Sequence, residues 1–356
     1  MTKAKRLILH IGHGKTGSTS IQRALRASDK QLAAQGILFP DPGRHDNHQL
    51  LFPYLHGDLP DDPVQLQSLG RDPAQIMKQA ESLWHDLLRR IEREQPETVV
   101  LSCENQFRPF PEAAIRRLAQ LSDQIAEQTE VYAWLRSPAP FFLSNVQQNV
   151  KKRPEFRFLT PTRCRDVLEP FLLYGNGPVH ARLFAREALI DGDAVSDFCH
   201  AALPQIDPKT LTRGLSEENT SVSAEAMALL QEIFREARPL PRGVQDRKAL
   251  RKIVVAQDAV LPGKIRPKLF EHVRAIVEAR VTEYSWLEET FGIVFPDVGP
   301  AEMPQAQAEA AYAALRDITD ICSVNAARQE ALWQATCAAA TQGGVLDRLV
   351  RKLGLR

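Results

Sequence analysis

The chain has 356 residues, of which 44% are hydrophobic and 25% are charged, and its formal net charge is +1. This composition is typical of a globular protein, and the length fits one large α/β domain with insertions or two domains. The near-neutral charge excludes a general electrostatic attraction to nucleic acid or to an anionic membrane, so any such preference would need a local patch.

The first predicted elements are a strand, a tight loop and a helix within residues 7–25. An apolar run over 7–11 is followed by small and hydroxyl residues over 12–20, and apolar residues then recur at helical spacing. The first N–H groups of a helix have no intrahelical partner, and the helix dipole favours negative charge there. Glycines let the backbone turn and approach a phosphate closely, and Lys15 adds a positive charge. The stretch therefore predicts a phosphate-binding loop.

The order of residues in this loop separates two kinds of phosphate chemistry. The nucleoside-triphosphatase pattern would end in Gly14-Lys15-Thr16, but its earlier glycine would fall at Leu9, so that pattern fails. What remains is a lysine ahead of a glycine with hydroxyl residues behind it, Lys15-Thr16-Gly17-Ser18-Thr19. For the loop taken alone, a polar strand-to-helix turn without a ligand is the alternative.

This loop resembles the 5′-phosphosulfate loop of the sulfotransferases that use 3′-phosphoadenosine 5′-phosphosulfate (PAPS), in particular P-loop sulfotransferases of the bacterial type. The family usually has proline where this chain has Gly14, a change that loosens the turn and keeps every group that would touch a phosphate. The resemblance implies a catalytic role for Lys15, which would stabilise charge on the departing bisphosphate. It also implies that the cofactor-binding residues include Gly14, Lys15, Thr16, Gly17, Ser18, Thr19 and Ser20.

A second strand is predicted over residues 36–40, followed by an irregular segment over 41–75 that is rich in Pro, Asp, Gly and His. Irregular segments of this length often carry function. His45 and His48 have a spacing that would suit a metal ion, but no third ligand is close in sequence. The other interpretations of this histidine pair are two polar side chains on the protein surface without a ligand, and binding of the acceptor.

An amphipathic helix over 74–94 precedes a predicted buried strand whose polar end carries Ser102, Glu104 and Asn105. Ligands of open α/β sheets bind beyond the carboxyl ends of the strands, which is where these residues would lie. Glu104 is the predicted general base, since sulfuryl transfer to a hydroxyl requires removal of a proton. The resemblance supports this role, because sulfotransferases have a histidine or glutamate base on a strand between their two phosphate sites. Helix capping or pairing with an arginine are the structural alternatives for Glu104.

A fourth strand over 130–135 ends at Arg136, and the helix that starts near Pro140 carries Ser144. An arginine and a serine together offer a guanidinium fork and a hydroxyl to one compact dianion. Their spacing of eight residues resembles the 3′-phosphate site of PAPS in sulfotransferases, which implies that Arg136 and Ser144 bind this phosphate. The basic cluster 151–153 is interpreted either as a solvated helix end or as an attractant for an anionic acceptor.

A fifth strand is predicted over 178–184, and the rest of the chain is predicted to be largely helical. Many sulfotransferases have a late basic loop with two glycines that adds contacts to the 3′-phosphate. Neither Arg213-Gly214 nor Arg242-Gly243 completes that pattern, so a third contact to the 3′-phosphate is not assigned.

We divide the chain into a sulfotransferase-like α/β domain, 1–295, and a helical C-terminal extension, 296–356, with all PAPS motifs inside 7–150. Within the extension, Gly343-Gly344 is expected to separate a short basic amphipathic tail, 345–356, from the helices before it. The tail would dock as a terminal helix or touch a membrane or partner.

The cysteines are five in number, widely spaced and without a C-x-x-C pair, which argues against a disulfide framework and a zinc knuckle. They are Cys103, Cys164, Cys199, Cys322 and Cys337. The apolar run near residue 7 is too short for a signal peptide, and no apolar stretch approaches the roughly 20 residues needed to span a bilayer. These features predict a cytoplasmic protein without a transmembrane segment.

The sequence therefore predicts an α/β fold with a parallel sheet flanked by helices, similar to the nucleotide-kinase-like fold of P-loop sulfotransferases. The reaction implied by the resemblance is sulfuryl transfer from PAPS to a hydroxyl, or less readily an amine, of a small-molecule or carbohydrate acceptor, with no metal. A P-loop kinase-like phosphotransferase and a non-catalytic nucleotide-binding protein are the alternatives. Nucleic acid is not expected as a partner, and the acceptor and the oligomeric state are left open.

Overall fold

The structure is a computed structural model that describes residues 3–60, 63–156, 163–213, 221–244, 246–300 and 302–352. The chain forms two compact units, and their segments alternate along the sequence. The first unit consists of Met1–Ser137, Arg163–Ser216 and Glu283–Asp297, and the second of Pro138–Thr162, Glu217–Thr282 and Val298–Arg356. The second unit thus includes residues well before 296. The domain boundary between residues 295 and 296 was drawn from sequence motifs, and it stays a prediction.

The first unit is built on a five-stranded sheet in which all strands are parallel. The strands are β1 (Ala4–His10), β2 (Ile37–Leu38), β3 (Thr98–Ser102), β4 (Ala126–Leu135) and β5 (Val179–Leu183). The central strands are almost continuous apolar runs, because helices cover both faces of a parallel sheet and leave no solvent-facing side. The predicted α/β class with a parallel sheet flanked by helices is confirmed.

Sixteen α-helices are present in the described part of the chain. They are α1 (Ser18–Ala27), α2 (Asp29–Ala33), α3 (Phe52–His56), α4 (Pro63–Leu69), α5 (Pro73–Glu94), α6 (Glu112–Ile125), α7 (Pro138–Val150), α8 (Cys164–Tyr174), α9 (Ala194–Ala202), α10 (Ala224–Phe234), α11 (Arg247–Val260), α12 (Glu271–Ala279), α13 (Tyr284–Phe291), α14 (Gln305–Ala314), α15 (Ile318–Ile321) and α16 (Ala326–Lys352). None of the helices within the described ranges has the length and apolarity to cross a bilayer.

The strand order β2-β3-β1-β4-β5 fixes where a ligand crevice can form. From the carboxyl end of β1 the chain continues towards β2, at one edge of the sheet. From the carboxyl end of β4 it continues to β5, at the opposite edge. Adjacent strands whose connections diverge in this way leave a crevice between their carboxyl ends, which is the usual ligand site of an open α/β sheet. In this fold that crevice lies between the ends of β1 and β4.

Helix α5 illustrates how the sequence pattern produces the packing of the first unit. The Asp72 side chain accepts a hydrogen bond from the N–H of Ala74, and proline occupies the first turn, where its missing N–H costs nothing. The buried residues of this helix are Ile76, Ala80, Trp84, Leu87 and Ile91. Each large apolar side chain in such a stripe contributes about 1.5–3 kcal/mol relative to an exposed position. The helix predicted over 74–94 is confirmed.

One face of the sheet packs against α1 and α9 through an apolar cluster that includes Ile8, Trp134 and Phe198. The only polar atom of the Trp134 ring, Nε1, donates a hydrogen bond to Asp197 Oδ2 at 2.7 Å, and Arg182 binds the same carboxylate with two nitrogens. Burial opposes ionisation of Asp197, but the donors from Arg182 and Trp134 outweigh it and lower the pKa of this carboxyl. The Trp134 ring nitrogen and the Asp197 carboxylate are therefore paired inside this core.

The second unit is entirely helical apart from an isolated antiparallel bridge between Leu269 and Cys322 in its described residues. Its core contains the buried faces of α7, α10, α11, α12 and α16, including Phe142, Leu229 and Leu332. Ser223 caps α10, since its hydroxyl accepts a hydrogen bond from the N–H of Ala226.

One expectation about the late helices differs from the structure. Helix α16 continues through Gly343-Gly344, which were expected to separate a terminal tail. A glycine inside a helix costs only about 1 kcal/mol relative to alanine, so two of them do not end a long helix. Residues 353–356 of the predicted tail lie outside the described residues.

Candidate functional site

The loop that joins β1 to α1 contacts the turn after β3 closely, and glycine makes that contact possible. Gly12 has a φ of +70°, and a Cβ at this position would lie 2.7 Å from the Cβ of Glu104. Gly17, the N-cap of α1, has a φ of +77°, and a Cβ there would lie 2.5 Å from the Cβ of Ala194. Side chains at these two positions would collide with neighbours and strain the backbone, so both glycines are structural requirements of the loop.

Lys15 lies at the tip of this loop in an uncommon backbone conformation. Its φ is +69°, in the left-handed region, which costs a residue with a side chain of the order of 1–3 kcal/mol. Such strain is found where the surrounding structure imposes it, often at functional sites. The Thr16 hydroxyl donates to the carbonyl of His13 and holds the turn together. The loop is thus fixed locally and carries the lysine at the start of a helix.

The N-terminus of α1 keeps features of an anion site. Gly17 offers no capping side chain, and the first turn of the helix contains no acidic residue. Ser18 is buried, and its Oγ has no hydrogen-bond partner among the described residues. Thr19 is partly exposed and Ser20 is exposed. Uncapped N–H groups, a buried hydroxyl and the helix dipole together favour a bound anion at this end of the helix.

Arg136 follows the last residue of β4 and reaches the same loop. Its backbone N–H donates to His13 Nδ1 at 3.2 Å, and its guanidinium Nη1 donates to the carbonyl of Lys15 at 3.3 Å. Burial, together with the charge of Arg136, lowers the pKa of His13 to about 3. His13 is therefore neutral at pH 7 and serves as an acceptor. The two residues predicted to bind phosphate, Lys15 and Arg136, are thus in direct contact through the Lys15 backbone, beyond the carboxyl ends of β1 and β4.

Glu104 begins a short 3₁₀ helix, Glu104–Gln106, beyond the carboxyl end of β3. Its Oε2 accepts hydrogen bonds from Gln22 Nε2 at 2.8 Å and from Asn47 Nδ2 at 3.1 Å. These contacts are neither a helix cap nor an arginine pair, the two structural alternatives considered for this residue. Two amide donors on one oxygen fix the orientation of the carboxylate beside the loop that carries Lys15.

Further buried polar groups support this carboxylate. The Ser102 Oγ accepts from Gln22 Nε2 at 3.0 Å and lies 2.8 Å from His10 Nδ1. Burial lowers the pKa of His10 to about 3, so this imidazole is neutral at pH 7. His10 Nε2 and Gln22 Oε1 have no hydrogen-bond partners in the part of the chain that the structure describes. The site therefore keeps buried polar atoms that no described residue satisfies.

Sequence reasoning missed Gln22, Asn47 and His10. For Gln22 a signal was available, because it shares the buried face of α1 with Ile21 and Leu25, where an apolar residue is expected. His10 likewise interrupts the apolar run of β1. Asn47 gave no comparable signal, since it belongs to an irregular segment and meets Glu104 only through tertiary packing.

The histidine pair of that segment has protein partners. His48 Nδ1 accepts from the N–H of Ser102 at 3.0 Å, and its Nε2 lies 2.8 Å from the carbonyl of Pro40. His45 contacts Arg44 and Gln49. His48 thus links this segment to the end of β3 through a hydrogen bond. Within the described ranges, no group of three or more His, Cys, Asp or Glu side chains could hold a metal ion.

Of the other residues discussed from the sequence, Ser144 is predicted to bind the 3′-phosphate, whereas Arg213 is not assigned as a contact. Ser144 is a partly buried residue of α7 in the second unit, so the arrangement described for the first unit does not include it, and its role stays a prediction. Arg213 forms an ion pair with Asp193 at 3.0 Å. The stretch 214–220, which contains the glycine of Arg213-Gly214, lies outside the described residues.

Neither a protein-family model nor a curated protein matches this chain. The functional assignment accordingly rests on the motifs and on the geometry of the first unit.

Proposed function

We propose that this protein is a PAPS-dependent sulfotransferase that transfers a sulfuryl group to a hydroxyl, or less readily an amine, of a small-molecule or carbohydrate acceptor. The observation that carries the proposal is the contact between the Arg136 guanidinium and the Lys15 carbonyl at the crevice between β1 and β4. Two separate cationic groups at one crevice suit a nucleotide with phosphates at both ends of its ribose. The sheet would then be the nucleotide-binding core of a P-loop sulfotransferase.

The β1–α1 loop would hold the 5′ end of PAPS. The N–H groups at the start of α1 and the hydroxyls of Ser18 and Thr19 donate to the 5′-phosphate, while Lys15 neutralises its charge. The guanidinium of Arg136 binds the 3′-phosphate. Because the Lys15 backbone is already fixed in its strained conformation, little ordering of the loop is needed when the nucleotide binds.

The chemical step exchanges one S–O bond for another. The acceptor oxygen attacks the sulfur, the bond from sulfur to the phosphate-bridging oxygen breaks, and the acceptor proton passes to the Glu104 carboxylate. The departing 3′,5′-adenosine bisphosphate gains negative charge on its bridging oxygen, which the Lys15 ammonium stabilises. Gln22 and Asn47 hold one oxygen of Glu104, and this orients the carboxylate for the proton transfer.

A kinase-like phosphotransferase is the second candidate, and the strand order with a loop after β1 favours it equally. The loop residues favour the first candidate. The glycine that a triphosphate-binding loop requires would stand at Leu9, inside β1, and the Thr16 hydroxyl is already bonded to the His13 carbonyl. A non-catalytic nucleotide-binding protein would need the two cations but would have no use for Glu104.

Titration calorimetry with 3′,5′-adenosine bisphosphate and with ATP tests the proposed nucleotide. We expect the bisphosphate to bind at least about tenfold more tightly, a difference of about 1.4 kcal/mol. Replacing Arg136 with alanine should weaken the bisphosphate about tenfold to hundredfold, because a charge-assisted hydrogen bond contributes about 1.5–3 kcal/mol, and should affect 5′-AMP far less. The matched control is Arg93→Ala, at an exposed arginine of α5. Equal affinity for ATP and the bisphosphate would refute the assignment.

A cytoplasmic location is proposed on the state of the cysteines. All five are free thiols, and four of them are buried. Burial raises the pKa of the Cys199 thiol to about 11, so at pH 7 it is un-ionised and unreactive. Free buried thiols of this kind are typical of proteins that work in a reducing compartment. Cell fractionation with a thiol-labelling reagent would test the location.

A further inference from the structure

The end of α11 and the loop that follows it carry the two most exposed large hydrophobic residues in the described part of the chain. Val260, the last residue of α11, and Ile265 are each 74% exposed. Pro262, between them, is also exposed. Single exposed aliphatic residues are common on protein surfaces and need no explanation. Three apolar residues on one short stretch form a patch that favours removal from water.

Polar contacts hold the turn inside this loop. The Lys264 ammonium lies 3.2 Å from Oδ2 of Asp258, whose side chain is completely buried. Arg328 donates to the carbonyl oxygens of Pro262 at 3.1 Å and of Leu261 at 3.2 Å. The chain on both sides of the turn is therefore bound to the interior of the second unit. The exposure of the aliphatic side chains is a feature of an ordered turn.

The segment around this turn has an excess of positive charge. Residues 247–270 contain seven lysine and arginine residues and one acidic residue, Asp258, which is buried. The seven are Arg247, Lys248, Arg251, Lys252, Lys264, Arg266 and Lys268. We call residues 260–268 the basic loop. Since the whole chain has a net charge of only +1, this segment is a local patch of the kind that attracts an anionic surface.

Exposed cations precede and follow the apolar residues. Lys252 is exposed and lies eight residues before Val260, so the two side chains are about two helical turns apart on the same side of α11. Arg266 and Lys268 are exposed on the basic loop itself. The described surface of this segment thus combines aliphatic side chains with unburied positive charges.

This combination matches the surface of a bilayer that contains anionic lipid. Cations attract the negatively charged headgroups, while aliphatic side chains enter the boundary between headgroups and acyl chains. Single-stranded nucleic acid would use the same cations, but its bases stack on aromatic rings, which Val260 and Ile265 do not provide. The aliphatic side chains therefore favour lipid over nucleic acid.

We propose that the basic loop and the exposed side of α11 bind the surface of a membrane rich in anionic phospholipid, with Val260 and Ile265 inserted among the headgroups. Each cation near such a surface strengthens binding by about fivefold, and salt screens this contribution. The inference does not depend on the proposed reaction, because every residue that carries it belongs to the second unit.

Flotation of the full chain with vesicles tests this proposal. Phosphatidylcholine vesicles with about 30% phosphatidylserine should bind the protein at least about tenfold more tightly than phosphatidylcholine alone. The apolar variant Val260→Ser/Ile265→Ser and the charge variant Lys252→Gln/Arg266→Gln/Lys268→Gln should each weaken this binding about tenfold or more. Added salt should weaken the binding of the apolar variant strongly and that of the charge variant little.

Two variants of the first unit are the matched controls. Leu173→Ser/Val294→Ser removes aliphatic side chains at positions that are 64% and 59% exposed. Lys30→Gln/Arg71→Gln/Lys78→Gln removes three exposed cations. Both should bind the vesicles like the parent protein, and thermal unfolding should show that all four variants fold.

Insertion is measured separately with Ile265→Trp. Anionic vesicles should shift the fluorescence of this variant to shorter wavelength, and brominated acyl chains should quench it more than they quench the parent protein. Equal binding of the two kinds of vesicle, no binding, or full binding by the apolar variant would overturn the proposal. Tighter binding of a single-stranded oligonucleotide than of anionic vesicles would also overturn it and would assign the patch to nucleic acid.

Discussion

Two buried polar clusters, one in each unit, differ in how completely the described residues satisfy their hydrogen bonds. In the second unit, the buried Asp258 accepts hydrogen bonds from Ser223 and Arg328 and forms an ion pair with Lys264 at 3.2 Å. Hydrogen bonds from Ser223 and Arg328 outweigh the burial of this carboxyl and keep the pKa of Asp258 below its ordinary value. Arg328 in turn donates to the carbonyl oxygens of Pro262 and Leu261.

The cluster around Glu104 in the first unit leaves several buried atoms without partners in the described residues. Ser18 Oγ, Gln22 Oε1 and His10 Nε2 belong to this set. An unsatisfied buried polar atom costs about 1–3 kcal/mol, so the folded protein keeps these groups at the expense of stability. A cluster that is fully satisfied supports the fold, whereas one with unmet hydrogen bonds is suited to a ligand. Substitutions in the two clusters should therefore affect different quantities.

The largest effect is expected from Glu104→Gln. The amide cannot accept the acceptor proton, so sulfuryl transfer should fall by about a hundredfold to ten-thousandfold. Turnover with labelled PAPS measures this loss, and calorimetry should show an unchanged affinity for 3′,5′-adenosine bisphosphate, because the proposed mechanism assigns Glu104 to the acceptor and not to the nucleotide. Turnover that stays within threefold of the parent protein would remove Glu104 as the base and would weaken the contrast between the clusters.

Arg328→Met should act on stability. It leaves Asp258 and Glu225 buried without their arginine partner, and breaking a buried ion pair in this way typically costs about 3–5 kcal/mol. Urea unfolding of the second unit measures the change. Arg266→Met, at an exposed arginine of the same unit, is the matched control and should shift stability by less than about 0.5 kcal/mol. A loss below about 1 kcal/mol at Arg328 would contradict the structural role assigned to this cluster.

The buried histidines of the first unit should make its stability sensitive to acid. The pKa of His10 is about 3 in the folded state, against 6.5 for the ordinary imidazole, so between these values the unfolded chain binds the extra proton. The free energy of unfolding should consequently fall as the pH is lowered from about 6.5, by up to about 1.4 kcal/mol per pH unit for this group. Replacing His10 with Gln should remove the contribution of about one proton from that slope, which is about 1.4 kcal/mol per pH unit.

Urea unfolding at a series of pH values measures these slopes. Above pH 7.5 both the parent protein and the His10→Gln variant should show the same dependence on pH, since the imidazole is neutral in both states there. If the parent protein and the His10→Gln variant had identical slopes below pH 6, His10 would be protonated in the folded protein as well, which would contradict its lowered pKa.

The sequence predicted the parts of this molecule that depend on local patterns. Apolar runs identified the strands, and helical periodicity identified α5, so the sequence alone assigned Lys15, Glu104 and Arg136 to strand ends. Helix α11 was not predicted individually, although Asp246 caps its N-terminus, and α8 contains an internal proline that obscures its pattern. Local patterns carry no information on which helices pack together.

For the same reason, the alternation of the two units along the chain was not predicted.

The partners of Glu104 were missed because they come together only on folding. Gln22 and Asn47 are separated from Glu104 by 82 and 57 residues. A hydrogen bond between such residues is set by the packing of α1 and the 41–51 segment against β3, which no short-range pattern encodes.

Gln22→Leu gives the smallest effect and the sharpest test of the contrast between the two clusters. Leucine fits the buried face of α1 and removes the unsatisfied Oε1, so stability should change by less than about 1 kcal/mol despite the full burial of this position. Turnover should nevertheless fall about tenfold, because Glu104 loses one of the two amides that orient it.

Asn47→Ala should lower turnover to a similar degree, and the two substitutions together should cost less than the product of their separate effects, since both act on one oxygen. Turnover and urea unfolding of the single and double variants measure these quantities. A Gln22→Leu variant that lost several kcal/mol of stability while its turnover per folded molecule stayed normal would show that the first-unit cluster supports the fold in the same way as Arg328 and Asp258.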